Sequence, residues 1–297
     1  MTAWAKYMFI PILGFIGASL LLFEGAYIHV KTPFRSPTVQ VKKDSISVYI
    51  INLDRSKERY SFVEPTVKKL GYPYMRVSAV EGANLSNDEI NEKVDVRAYS
   101  FFMGESPRRG TIGCSLSHIK VWEQFLASEN EFALVFEDDV RFNPLELRMI
   151  VDELIRDSNL WDVNFFELSH RGMPRTIKKY GNNKKYKLSV YLTKVTHTGC
   201  YLINRKAALA MREHAYPIKM PIDHFIPRGW EYNLKFTGIE PRLVTQTFGD
   251  SEIMQTTSTV KKEKIPLIAY MARGIYTLKS EVTRFVYAIY QYKNAKA

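Results

Sequence analysis

The chain has 297 residues, 46% of them hydrophobic and 13% aromatic, which excludes a disordered or fibrous protein and supplies material for a sizeable core. Lys and Arg number 42 against 31 Asp and Glu, so the net charge is +11, which favours partners bearing phosphate groups or an acidic membrane surface. The two cysteines, Cys114 and Cys200, cannot make a disulfide scaffold.

Tyr7 to Phe23 is an uncharged run of 17 residues between Lys6 and Glu24. A membrane helix needs about 20 apolar residues, with a lower bound near 17. A membrane anchor is therefore expected over residues 1–30. A cleaved signal peptide is the alternative, although no small-x-small cleavage site stands out. Lys31, Arg35, Lys42 and Lys43 follow the segment, which places the bulk of the chain on the cytoplasmic side. The sequon Asn84-Leu85-Ser86 points the other way. Residues 31–44, with Pro33 and Pro37, read as a linker.

From residue 45 to 260 the chain alternates short apolar runs with helical patterns. Ile46 to Leu53, with its β-branched residues, predicts a buried strand. Arg55 to Leu70 predicts a helix that Pro65 starts, kinks or interrupts. Tyr74 to Val80 predicts a second strand. Ile112, Leu116, Ile119, Trp122 and Leu126 recur at helical spacing within Thr111 to Ser128. Ala133 to Phe136 is an apolar strand, and Leu145 to Asp157 is amphipathic. Trp161 to Leu168 and Cys200 to Ile203 predict strands, the second leading into a helix from Arg205 to His214. Such alternation implies a mostly parallel sheet covered on both faces, with ligands gathered at the carboxyl ends of its strands.

The strongest chemical signal is Glu137-Asp138-Asp139, placed where the apolar run Ala133 to Phe136 ends. Strand alternation sends Glu137 and Asp139 to one face and Asp138 to the other. Two carboxylates on one face suit a hard divalent cation, Mg²⁺ or Mn²⁺, whose remaining ligands are commonly phosphate oxygens. A solvated acidic turn is the alternative. Asp223, in Pro221-Ile222-Asp223-His224, is a candidate general base for an acceptor hydroxyl, or else the cap of the helix that follows. His118 and His197 lie beside apolar residues and read as core or supporting groups. Arg171 to Lys187 holds seven basic residues and no acid, and is expected to be a loop, either solvated or in contact with phosphates. There is no GxxxxGK loop, no zinc spacing and no GxSxG elbow.

Residues 261–297 predict an amphipathic helix. Ile268, Met271, Ile275, Leu278, Val282, Phe285, Ile289 and Tyr292 form an apolar seam, with Arg273, Lys279, Arg284 and Lys293 off it. The seam fits docking on the domain, a membrane surface or a dimer contact.

Taken together, these residues resemble glycosyltransferase family 25 of lipooligosaccharide biosynthesis. Val48 to Arg59 (VYIINLDRSKER) is similar to its opening motif, and Ala79 to Gly82 to its AVDG element. Gly110 to His118 (GTIGCSLSH) resembles GEIGCxLSH, and Leu134 to Val140 (LVFEDDV) resembles LVLEDDV. Gly199 to Ala208 resembles AGYLISRKGA, and Pro221-Ile222-Asp223 its PvD element. Glu81 stands where the family has Asp, and Thr111 where it has Glu.

The resemblance implies a GT-A-like nucleotide-sugar-binding fold over a catalytic domain at 45–260. It implies transfer of a hexose, galactose or glucose, from a UDP-sugar to a hydroxyl of a glycan or glycolipid such as lipooligosaccharide, with inversion. Asp139 would ligate the cation, with Glu137 helping through the ribose, a bound water or the metal itself. Asn52, Arg55, Arg59 and Asp138 would hold the donor, and Asp223 would take the acceptor proton. A single-pass protein facing the cytoplasm at a bacterial inner membrane would bring donor and lipid-linked acceptor together. Nucleic acid is not an expected partner. A metal-dependent phosphohydrolase would use the same acids with water attacking, and a non-catalytic, membrane-tethered glycan-binding module would need no metal.

Overall fold

The computed structural model describes residues 45–169, 172–247 and 267–296. The expected anchor and linker lie outside the described residues. Among those described, no helix is long and apolar enough to cross a membrane.

The centre is an eight-stranded sheet. Its first strand, β1 (Ile46–Asn52), is buried along its whole length. Alternation feeds both faces: Tyr49 and Ile51 enter one apolar cluster, Val48 and Ile50 the other. β2 (Tyr74–Ser78) and β3 (Phe132–Glu137) flank it in parallel. Beyond β3 come β8 (Cys200–Asn204), β5 (Val163–Phe165), β9 (Phe236–Glu240), β7 (Tyr186–Tyr191) and β6 (Pro174–Tyr180). β8 runs against both β3 and β5, and β7 runs against both β9 and β6. Six of the eight strands therefore share one direction. The strand expected over Trp161 to Leu168 is shorter than that run.

Helices α1 (Lys57–Lys68), α2 (Asn87–Lys93), α3 (Val96–Met103) and α4 (Arg109–Ala127) come from the first half of the chain. α5 (Pro144–Arg156) starts on an Asn143 side-chain cap with Pro at its first turn, and α6 (Arg205–His214) on an Asn204 cap. α4 and α6 cover one face of the sheet, α1 and α5 the other. Trp122 of α4 and Trp161 are fully buried, each contributing about 2–3 kcal/mol of apolar burial.

α4 runs close beneath the turn after β2. A Cβ on Gly113 would meet Val80 O at 2.5 Å and Gly82 N at 2.7 Å, so the glycines of the GTIGC and AVEG elements serve close backbone approach. Gly113→Ala is expected to cost at least about 2 kcal/mol. An unchanged urea midpoint would refute that packing.

Two expectations are corrected. The lysine-rich segment is not a loop: β6 and β7 form an antiparallel hairpin closed at Asn182–Lys184. Ile177 and Tyr180 of β6 turn inward while Arg175, Lys178 and Lys179 face solvent, so the basic residues guard a sheet edge. The C-terminal helix, α9 (Leu267–Lys296), docks by a different face from its apolar seam. Ser280, Arg284, Tyr287, Ala288 and Gln291 are buried, whereas Ile275, Leu278 and Phe285 are 64%, 42% and 48% exposed. Tyr287 Oη and Gln291 Nε2 donate to the carbonyls of Leu234 (3.1 Å) and Phe236 (3.2 Å), so polar ends anchor the helix.

Candidate active site

β3 delivers Glu137 at its last position, and Asp138 and Asp139 turn the chain into β4 (Val140–Phe142). β4 pairs with β10 (Val244–Gln246), whose Gln246 lies opposite Val140. Gln246 Nε2 donates to Glu137 Oε2 (3.2 Å) and to Asp139 Oδ1 (3.4 Å), so one amide bridges the two carboxylates on a shared face. Thr198 Oγ1 donates to Glu137 Oε1 at 2.6 Å, and the Glu137 N–H donates to Gly199 O at 3.0 Å. The Thr247 N–H and Oγ1 hold the Asp139 carbonyl at 2.7 and 2.8 Å. Asp138 faces the other way, as strand alternation predicts. It accepts from Asn52 Nδ2 at 2.6 Å and from Arg59 Nη1 at 3.5 Å.

The three acids differ in charge state. Burial and then repulsion from Glu137 and Asp138 push the Asp139 carboxyl up to about 7. Burial also raises Asp138, against the pull of Asn52 and Arg59. Burial acts on Glu137 too, but hydrogen bonds and charge from His118, with Thr198, outweigh it and hold that carboxyl low.

Asn52 is only 1% exposed and its amide is fully engaged. It donates to Asp138 and to Ser56 O (2.9 Å) and accepts from Arg76 Nε (2.8 Å). Its place is to hold Asp138. Asn52→Ala leaves that carboxylate short of a donor and should cost about 2 kcal/mol of unfolding free energy. An unchanged denaturation midpoint would contradict this. Arg55 is exposed and pairs with Glu81 at 2.6 Å, so the departure from the family's Asp keeps its charge in use. Arg59 remains partly open beside Asp138.

Asp223 lies in the first turn of α7 (Ile222–Phe225), with Pro221 at the cap position, so the capping alternative is excluded. The charges of Glu137, Asp223 and Asp139 all act on the Cys114 thiol, which burial pushes far above its ordinary range. The triplet and Asp223 therefore flank one region around the start of α4.

His118 is buried, with Nδ1 3.0 Å from Tyr201 Oη and Nε2 3.4 Å from Glu137 Oε1. Trp122 Nε1 donates to the same tyrosine oxygen at 3.0 Å, which makes His118 an orienting group for Glu137. His197 adopts φ +82°, a left-handed backbone that costs a non-glycine residue about 1 kcal/mol. Its Nδ1 is 2.8 Å from the buried Glu167 Oε1, and that hydrogen bond raises the imidazole pKa. The charges of Glu137 and Asp223 both sense this ring, so it belongs to the same region.

The donor set can be tested against a cation. Glu137 and Asp139 offer oxygen atoms on one face, in a buried setting where neighbouring carboxylates repel, so the pair fits a hard divalent ion. Cys114, His118 and Glu137 also bring ligand atoms within 4.8 Å of one another. A thiol whose pKa is raised this far suits a hard ion poorly, so this second set fits less well. Gln246, Thr198 and Glu167 are the site residues that the sequence motifs do not reveal.

The family model described as "Glycosyltransferase family 25 (LPS biosynthesis protein)" matches residues 45–226, more than half of the chain. The chain belongs to glycosyltransferase family 25. Among its relatives, a "Glycosyltransferase 25 family member" of Aedes aegypti is 32% identical over 155 residues, covering 49% of this chain and 25% of the relative. "Procollagen galactosyltransferase 1-A" of Xenopus laevis is 26% identical, covering 61% and 30%. "Inactive glycosyltransferase 25 family member 3" of Homo sapiens is 29% identical, covering 46% and 24%. The family 25 chain thus spans about a quarter to a third of these relatives' lengths. A crystal structure of a glycosyltransferase involved in the glycosylation of the major capsid of PBCV-1 overlays at TM-score 0.33 and 15% identity, covering 65% of this chain and 81% of that one.

Proposed function

We propose that this family 25 chain transfers a hexose, galactose or glucose, from a UDP-sugar to a hydroxyl of a glycan or glycolipid acceptor. The observation that carries the reading is the pair Glu137 and Asp139, bridged by Gln246 at the carboxyl end of β3, with Asp223 across the same region. Glu137 and Asp139 would hold Mn²⁺ or Mg²⁺, and such an ion, when bound, offsets the charge of a departing diphosphate.

The chain's own residues supply the rest. Arg59 of α1 offers a guanidinium beside Asp138 for the nucleotide, and Arg55 stands in the turn just before that helix. Asn52 keeps Asp138 in place. Asp223 takes the proton from the acceptor hydroxyl as its oxygen bonds to the anomeric carbon. The bond from that carbon to the diphosphate oxygen breaks, and UDP leaves with the electron pair. Attack opposite the leaving group inverts the anomeric centre.

The uncharged segment 7–23 and the basic residues after it support a membrane anchor with this domain on the cytoplasmic side, where a lipooligosaccharide-type acceptor would be met. Relatives named inactive make a direct assay decisive. A panel of UDP-sugars with Mn²⁺, scored by UDP release with and without membrane glycolipid, should show one preferred sugar and loss of release on chelation. Release of phosphate from simple phosphoesters, with no UDP-sugar used, would replace transfer with phosphohydrolysis.

A further inference from the structure

Two cavities lie on the Asp223 side of the domain. The larger, about 270 Å³, is mostly apolar and runs under Ile222 and Phe225 of α7. It shares Phe102, Met220 and Tyr276 with a smaller cavity of about 70 Å³. The smaller one has a different lining: Lys194, His224, Arg228 and Arg284, against the single acid Glu281.

The cationic groups there are only partly satisfied. Arg284 Nη1 pairs with Glu281, and Arg228 Nη2 donates to Glu231, Tyr276 Oη (2.8 Å) and Ser280 Oγ (3.2 Å). The Nε atoms of both arginines are buried and take no partner among the described residues. Lys194 Nζ is 3.2 Å from His224 Nδ1. Burial, with the charges of Lys194, Arg228 and Arg284, lowers the His224 imidazole pKa against the pull of Asp223. Partial burial of its amine and the charge of Arg284 also lower the pKa of the otherwise exposed Lys194, against the pull of Asp223 and Glu281. Glu231 holds Arg228 firmly charged, while burial lowers Lys194 and Arg284, so an anion that reaches the open side of this cluster would be stabilised by it.

Part of the cluster has a structural duty. The Arg228 and Arg284 guanidinium carbons lie 4.9 and 4.8 Å from the Trp230 ring centroid, and this stack joins α9 to α8 (Gly229–Tyr232). Lys194 is exposed, sits on the loop between β7 and β8, and takes no part in the stack.

We propose that the recess formed by Lys194, His224, Arg228 and Arg284 binds an oxyanion, a carboxylate or a phosphate, carried by the acceptor. This rests on the reading of Asp223 as the acceptor's base, because His224 is its neighbour in α7 and its charge reaches Lys194. The acceptor class becomes an acidic or phosphorylated glycan whose less polar part follows the apolar cavity toward α7.

Calorimetric titration of metal-free full-length protein tests this without turnover, so it fails or succeeds separately from UDP release. The probes are inorganic phosphate and glucuronate, with glucose as the neutral control. The parent should bind at least one anion, and Lys194→Met should bind it about tenfold or more weakly, with Lys194→Arg restoring affinity. Tighter phosphate names a phosphorylated acceptor, and tighter glucuronate a carboxylated one. Absence of anion binding by the parent, equal affinity in Lys194→Met, or equal affinity for glucose would each overturn the proposal.

Discussion

Asp139→Asn is expected to lower metal-stimulated UDP release about a thousandfold, the order of effect when several kcal/mol of charge stabilisation is lost. The same change should raise the stability of the metal-free protein by about 1 kcal/mol, a few degrees of melting temperature. The two effects share one cause. Asp139 is buried and forced close to Glu137 and Asp138, and its carboxyl is pushed up from 3.8 to about 7. The folded chain thus binds more protons than the unfolded chain between those two values. The contribution of Asp139 to stability is fully present below pH 3.8 and is lost as pH rises to about 7. Asparagine removes that slope. Added Mn²⁺ favours the charged form, so its affinity should climb with pH up to about 7 and then level off. Melting curves across this range, with and without Mn²⁺, check each part. A metal-free variant less stable than its parent at pH 7 would deny that burial and repulsion strain this carboxylate.

Asp223→Asn should cut sugar transfer by about 10²–10⁴, the usual worth of a positioned base, while leaving UDP and Mn²⁺ binding in place. Asp223 is not a cap, and α7 keeps Pro221 and its backbone bonds without the side chain, so the fold should tolerate the change. The split between lost turnover and retained binding separates a base from a structural acid. Unimpaired transfer would hand the proton to another group, and His197 on its buried Glu167 is the titratable neighbour in that region.

Legibility in the sequence followed local pattern. β1 and β3 are apolar runs, and α4 carries a helical stripe, so their identity could be read directly. The outcome for the acidic triplet followed from strand alternation at the end of β3. Gln246 could not be seen, because it meets Glu137 across 109 positions through the pairing of β10 with β4. Thr198 and Glu167 act through the loop before β8 and the chain after β5, where no periodicity marks them. The β6 arm of the hairpin was hidden by lysines that mask its two inward residues, Ile177 and Tyr180. The seam of α9 misled because apolar spacing reports an apolar face, whereas this helix is held by Arg228, Tyr287 and Gln291 hydrogen bonds.

The most direct measurement is a calorimetric titration of Mn²⁺ into the metal-free protein in the presence of UDP, repeated with Asp139→Asn. The parent should take up the ion at a single saturable site that the variant lacks. Equal uptake by both proteins, or none by the parent, would contradict a cation held between Glu137 and Asp139.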